Sequence, residues 1–501
     1  MDIVGSNFRN VAINIINHRE TNLVLSSLII FSSIYVTFVS VLRRPFIHPL
    51  ISSSAYNETL SPTEHVDYAY STMSFVILWL CAIIFGRILS YAKLPALLGV
   101  LLVGIAFKNI PFLADLLLLD EGITEVLRKS AFTVILVRAA MGFDMGLFRK
   151  ANGVIFRLGI VSTLVEIIAI VLAAHFIFNV NVGMAILLGF VLAASASAII
   201  LPTLSQLMEQ GYGVESLFCD VFQSVVPLDN LLCICSFNVA LAIVFAANIS
   251  SEIGVMFAES AVGIIGGLVG GLVLWWLPRC DMYHTHFIRT VMLLSVSLAL
   301  LFGSRAINCQ SAGVFATTVL TIIALSRWRI DNRCKAEKEE EVFALLFELF
   351  SMPVMFALIG YDFEIAKLEM KMVLEGFAIA GIGMLIRLIF AFLLSFCAGL
   401  TLAEQALISV VLLSKATIQA ALPPQIVDAC LETANEDSAV MIRTVCVFAI
   451  IVTAPIGQLL LILLGPSALH MRNTRQIHSN GSANKRHIAT DSNDSLPDHY
   501  L

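Results

Sequence analysis

The chain has 501 residues, 58% of them hydrophobic and 13% charged, and its mean hydropathy of +0.91 lies far above that of soluble globular domains. A formal net charge of -6 and a pI near 5.9 leave no basic surplus for neutralising phosphates, which argues against nucleic acid as a partner. The ten cysteines are scattered through apolar segments without a CxxC or a Cys/His cluster, so they read as packing residues.

In chain order, the first apolar run, 22–42, is too long for a signal-peptide core, lacks a small-residue cleavage pattern and is followed by Arg43 and Arg44. It reads as a retained membrane helix. Runs of roughly 17–25 apolar residues are what a hydrocarbon core about 30 Å thick demands of a helix whose backbone must be satisfied internally. Such runs follow at 72–91, 94–107, 130–147, 154–178, 182–207, 216–247, 252–277, 287–304, 310–328, 342–360, 372–397, 405–423 and 439–465. The expectation is therefore an all-α polytopic membrane protein of about 14 transmembrane helices.

An even count places both termini on one side of the membrane. The segment 327–341 carries Arg327, Arg329, Arg333, Lys335 and Lys338, and the tail carries Arg472, Arg475, Lys485 and Arg486, so that side is the cytosol. The acidic loops around Glu121 and Glu432 and the sequons at Asn57 and Asn248 then fall outside. Three parts are expected: an N-terminal segment, 1–71, with the first helix and an outer loop; a transmembrane domain, 72–466; and a cytosolic tail, 467–501, too polar to bury a core.

Gly142-Phe143-Asp144 closes the fourth run and Gly360-Tyr361-Asp362 the eleventh, 218 residues later and on the opposite side, which suggests an inverted repeat with a site where the halves meet. The same offset sets Lys415 against Ser197. Both lie in stretches of small and hydroxylated residues ahead of prolines, Ala193 to Ala198 before Pro202 and Ser414 to Gln419 before Pro423 and Pro424, which suit interrupted helices. Close packing through small residues is the plainer reading of such stretches, and of the glycines at 263, 267 and 271.

Glu166, Asp229, Arg387 and Lys415 lie well inside their runs, where each costs roughly 2.5–3.5 kcal/mol unless it faces the interior and pairs. Either they are ion pairs that hold the bundle, or an acid among them alternately holds a proton and a cation. Pro227, two residues before Asp229, frees a backbone carbonyl one turn earlier in the helix, and Asn230 offers a neutral oxygen that cannot carry a proton. Arg87, Arg138, Arg157 and Arg443 are close enough to run ends to snorkel, and His175 reads as a satisfied polar residue. No nucleophile elbow, metal-ligand spacing or phosphate loop supports an enzyme, and no cofactor is implied.

Leu188-Gly-Phe-Val-Leu192, Gly211-Tyr-Gly-Val-Glu215, Asp229-Asn-Leu-Leu232, Lys415-Ala-Thr-Ile-Gln-Ala-Ala421 and Thr453-Ala-Pro-Ile-Gly457 resemble the cation/proton antiporter superfamily, most closely the NHA-type exchangers also called sodium/hydrogen exchanger 9B. The resemblance covers about residue 70 to Pro466. It implies a homodimer, an elevator-like core, and an ion site where two broken helices cross, here Ser195 to Ser197 and Lys415 to Thr417. It also implies Arg387 paired with Glu166 and Lys415 with Asp229. Two departures stand out: Asn230 replaces the second of two adjacent aspartates, and Ala196-Ser197 replaces a Ser-Pro step.

The functional expectation is a secondary transporter exchanging a monovalent cation (Na+, K+ or Li+) for protons. Asp229, Asn230, Ser195, Ser197 and Thr417 would bind the ion or proton, with Lys415, Arg387 and Glu166 as charge partners. The alternatives are a transport-silent partner subunit and a proton-coupled chloride transporter. The plasma membrane is the expected address, an organelle membrane the alternative.

Overall fold

The computed structural model describes residues 68–469 apart from 115–116, 118, 144–145, 147–151, 214–216, 246–248, 279–283, 308, 332–335, 397 and 431–434, together with parts of 26–37. Most of the first apolar run, both sequon asparagines, Asp144 and the tail from 470 lie outside the described residues. Every described element is helical. In order they are α1 (Tyr68–Tyr91), α2 (Ala96–Asn109), α3 (Glu121–Met141), α4 (Gly153–Ile177), α5 (Val182–Ala193), α6 (Ser197–Glu209), α7 (Leu217–Val244), α8 (Ile249–Trp276), α9 (Thr285–Ala306), α10 (Gln310–Ile330), α11 (Glu337–Tyr361), α12 (Met370–Leu394), α13 (Leu402–Val411), α14 (Thr417–Ala421), α15 (Pro423–Cys430) and α16 (Glu436–Ala468), with short turns between. Ten helices among the described residues, with α5 and α6 taken as one, are long and apolar enough to cross a membrane.

The repeat is visible in the order of elements. Three helices (α1–α3) precede a long helix (α4), an interrupted one (α5/α6) and another long one (α7); α9–α11, α12, α13/α14–α15 and α16 follow the same plan. Two units result. In one, α4, α7, α12 and α16 pack around the interrupted helices; in the other, α1–α3 pack with α9–α11, and α8 lies against α10.

Burial within the protein varies widely among the spans. Of the most apolar stretch of α5–α6, 72% is buried within the protein, against 22% in α1 and in α8. The interrupted helices are thus the most buried of these spans, and α1 and α8 the most exposed. The glycine stripe of α8 serves close packing as expected, with Gly263 and Gly267 against the backbone of Ala312 and Ala316 in α10. A second close crossing joins α2 to α11, where Gly104 and Gly360 each face the other helix's backbone and neither has room for a methyl group.

Some boundaries differ from expectation. The basic segment 327–341 is mostly helix: Arg327 and Arg329 lie in the last turn of α10 and Glu337 already begins α11. α16 passes through Pro455 and Pro466 to Ala468, so the helical part of the domain ends a little later than expected. Three π-helical turns, Arg157–Val161, Ala173–Ile177 and Phe347–Ser351, widen α4 and α11.

Candidate ion site at the crossing of the broken helices

Each interruption has a local cause. α5 ends at Ala193, Ala194 turns extended (φ -61°, ψ 137°), and α6 restarts at Ser197 with Pro202 inside it. In the partner, α13 ends at Val411, the chain uncoils through Lys415, and α15 opens on Pro423 and Pro424, where a missing N–H costs nothing. The two breaks touch. The Ala196 N–H donates to Ser414 O at 2.9 Å, and the Gln419 amide donates to Val191 O and Ala194 O, both at 2.8 Å, while its oxygen accepts from Ala416 N at 2.7 Å. Helix ends that would otherwise be orphaned in the interior are therefore satisfied across the crossing.

Four charges converge there, each no more than 1% exposed. Arg387 from α12 donates to Glu166 Oε2 at 2.6 Å and to Asp229 Oδ2 at 2.8 Å, so one guanidinium bridges two acids. Lys415 Nζ donates to Glu166 Oε1 at 2.9 Å and Oε2 at 3.2 Å. The wiring implied by the resemblance is thereby altered: Arg387 does pair with Glu166, but Lys415 goes to Glu166 as well, and Asp229 goes to Arg387. The physical reason is reach. Ala193 O at the end of α5 accepts from both bases, Lys415 at 3.1 Å and Arg387 at close range, and draws both cationic heads to the Glu166 side.

Asp229 is saturated with donors. Besides Arg387, it accepts from the Ser195 N–H at 3.1 Å, from the Ser195 hydroxyl, and from Thr163 Oγ1 at 2.9 Å. Ser195 Oγ in turn accepts from Arg387 Nη2 at 3.0 Å, which polarises its hydroxyl toward the carboxylate. By contrast, Asn230 is 1% exposed and neither its amide nitrogen nor its oxygen has a partner among the described residues. Thr417 Oγ1, at the start of α14, is likewise buried and unpartnered. Buried polar atoms without partners are rare and costly, and they mark where a ligand or ion would be welcome. Ser197 is not drawn in: it is half-buried and its side chain meets none of the four charges.

The residues missed by sequence reasoning are mostly neutral. Thr163 stands one turn before Glu166 on α4, a spacing that could have drawn notice, yet its hydroxyl serves Asp229; Ala193 acts through its carbonyl, which no side-chain motif reveals. Gln419 clamps the breaks, and Thr453 Oγ1 accepts from the Lys415 N–H at 2.9 Å. A second buried cluster was not singled out from the sequence: Arg289 lies 3.6 Å from both Asp331 and Glu339 and over the Trp328 ring, and His286 Nδ1 is 3.0 Å from Glu339. Glu259, inside α8, was overlooked altogether. Of the arginines expected to snorkel, Arg138 stacks over the Phe347 ring, 4.2 Å from its centre, while Arg87 remains exposed and pairs with Glu348 at 3.0 Å. His175 is a satisfied polar group, hydrogen-bonded to Val180 O at 3.0 Å.

Between the two units opens a cavity of about 210 Å³, walled by Glu125, Arg128 and Arg305 on one side and Asn238, Gln425 and Asp428 on the other. Asn238 is eight residues beyond Asn230 on α7, or about 12 Å along the helix axis. The cavity thus leads from the acidic loop end of the bundle toward the crossing.

Comparison with known proteins agrees with this arrangement. Residues 75–462 match the family described as sodium/hydrogen exchanger, transmembrane. Among curated proteins, sodium/hydrogen exchanger 9B2 of Homo sapiens is 34% identical over 405 residues, covering 79% of this chain and 74% of that protein. Sodium/hydrogen exchanger 9B1 of Homo sapiens is 31% identical over 406 residues, covering 78% and 77%. Among solved structures, the sodium proton antiporter MjNhaP1 from Methanocaldococcus jannaschii superposes with a TM-score of 0.62 at 14% identity, covering 80% of this chain and 99% of that one, and shares the fold.

Proposed function

We propose that this chain, which belongs to the sodium/hydrogen exchanger family, is a secondary active transporter that exchanges a monovalent cation for protons at the crossing of its broken helices. The observation that carries the reading is the buried network of Glu166, Asp229, Arg387 and Lys415 beside the unpartnered amide of Asn230. Charges so deep are expensive and persist where an ion pathway needs them. A network that only held the bundle together would have no use for uncommitted oxygens next to it.

In this mechanism the cation approaches through the cavity beside Asn238 and is held by Asp229, Asn230 and Thr417, with Ser195 adjusting its hydroxyl. Arg387 and Lys415 balance the acids while the site is empty of cation. Movement of the α4–α7 and α12–α16 unit against the other unit then opens the site to the opposite side. Assembly as a homodimer in the plasma membrane, with both termini cytosolic, belongs to the same proposal; Arg327 and Arg329 at the end of α10 support the orientation.

The test is ion-specific proton flux in sealed proteoliposomes. Sodium, potassium or lithium is expected to drive proton movement, and Asp229→Asn is expected to abolish it. Flux unchanged by Asp229→Asn would contradict the reading. A silent native protein that gains exchange on Asn230→Asp would identify a transport-silent partner subunit, and proton uptake that follows chloride would identify an anion transporter.

A further inference from the structure

The outer cavity between the two units carries charges that the crossing does not use. We infer that Asp428, with the amide oxygens of Gln425 and Asn238 deeper in, forms an outer capture site for the monovalent cation and sets how readily a cation from outside reaches the crossing. The inference rests on the antiport reading and deepens it.

The wall formed by α3, α9 and the end of α11 has its charges committed to one another. Lys129 and Arg305 both pair with Glu125, and Arg128 donates to Asp362 at 2.6 Å. Three bases against two acids leave that wall with one positive charge in excess. A narrow cavity with such a wall repels an entering cation, because there is too little water in it to screen the field. Asp428 stands on the opposite wall and brings the cavity to neutrality. It forms no ion pair or hydrogen bond among the described residues, and it lies in the fields of those same charges, attracted by Arg128 and Arg305 and repelled by Glu125 and Asp362.

Helix stability does not account for an acid at this position. Asp428 lies in the last turn of α15, where the negative pole of the peptide dipoles disfavours a carboxylate. Gln425 is three residues earlier, so it shares a face of α15 with Asp428 and lies one turn deeper. Asn238, on α7, is 6% exposed and lines the same cavity. Its Nδ2 donates to Ile234 O at 2.8 Å, which leaves its side-chain oxygen uncommitted among the described residues. A carboxylate at the mouth and two carboxamides further in make a row of oxygens of the kind that replaces the water around an alkali cation. All three belong to the unit that holds the crossing. A captured cation therefore passes along one wall, down α7 to Asn230, without changing units.

Proton flux driven by sodium, lithium or potassium in sealed vesicles of defined orientation tests this. At low ionic strength Asp428→Asn is expected to raise the apparent KM for the outer cation roughly three- to tenfold with kcat unchanged. Competition by outer protons should weaken by the same factor, since the potential in the cavity acts alike on every monovalent cation. Choline chloride at about 0.5 M should shrink the effect to less than about twofold. Asp428→Glu should keep the native KM. Arg305→Gln, which leaves Glu125 its pair with Lys129, should lower the outer KM in the native background and restore it in Asp428→Asn. The KM for cation at the cytosolic face should stay native throughout. An outer KM unaltered by Asp428→Asn, a loss confined to kcat, or a defect that Arg305→Gln does not relieve overturns the inference and leaves antiport standing. Absence of flux in the native chain for every cation overturns the antiport reading and this inference with it.

Discussion

Replacing Arg387 by methionine, which roughly keeps its volume, leaves Asp229 buried without its ion pair, while Glu166 retains Lys415 at 2.9 Å. Breaking a buried pair in this way costs about 3–5 kcal/mol, most of it the desolvation of the stranded carboxylate. Which second substitution relieves the loss reports the wiring. Adding Asp229→Asn removes the stranded charge and leaves Glu166 and Lys415 balanced, so the double variant should recover on the order of 1–3 kcal/mol, a coupling typical of residues in one network. Adding Glu166→Gln instead leaves Asp229 stranded and strips Lys415 of its partner, so it should recover little or make matters worse. Denaturation of the purified variants in detergent, followed by intrinsic fluorescence, measures both. Better rescue by Glu166→Gln than by Asp229→Asn would refute the wiring and favour the alternative in which Asp229 belongs to Lys415.

Three further outcomes follow from the geometry. Gln419→Leu orphans the carbonyls of Val191 and Ala194 and should cost about 1–3 kcal/mol and abolish transport; native flux in this variant would show that the clamp between the breaks is dispensable. Gly360→Leu drives a side chain into the backbone of α2 and should cost at least about 1–3 kcal/mol, visible as lost expression or a lowered melting temperature, whereas wild-type stability would contradict the close crossing. Asn238→Cys should react with a membrane-impermeant thiol reagent applied from outside intact cells; labelling only after permeabilisation would reverse the assigned orientation.

How much of this was legible in the sequence depends on the kind of signal. The spans were plain because lipid tolerates little besides long apolar helices, and the inverted repeat showed itself at Gly142 and Gly360 because both lie at the C-terminal end of the third helix of their halves, α3 and α11. Glu166, Asp229, Arg387 and Lys415 were legible for the same reason: a charge in the middle of an apolar run is conspicuous. Their partners were not. Two acids and two bases pair in more than one way, and what decides between them is Ala193 O, a backbone atom whose position depends on where α5 stops. The roles of Thr163, Gln419 and Thr453 were not legible because a hydroxyl or an amide in an apolar helix is common and becomes informative only when its partner is known. Arg289 and Glu339 were not singled out because each lies near the end of its helix, where a charge is unremarkable until its partner is known.

The central claim is that a cation gradient and a proton gradient are exchanged at this network, and uptake of radiolabelled sodium, rubidium or lithium driven by an outward proton gradient in proteoliposomes tests it most directly. Accumulation above the external cation concentration is expected, collapsing when the proton gradient is dissipated and absent in Asp229→Asn. Cation uptake that never exceeds equilibration, or accumulation that persists in Asp229→Asn, would contradict it.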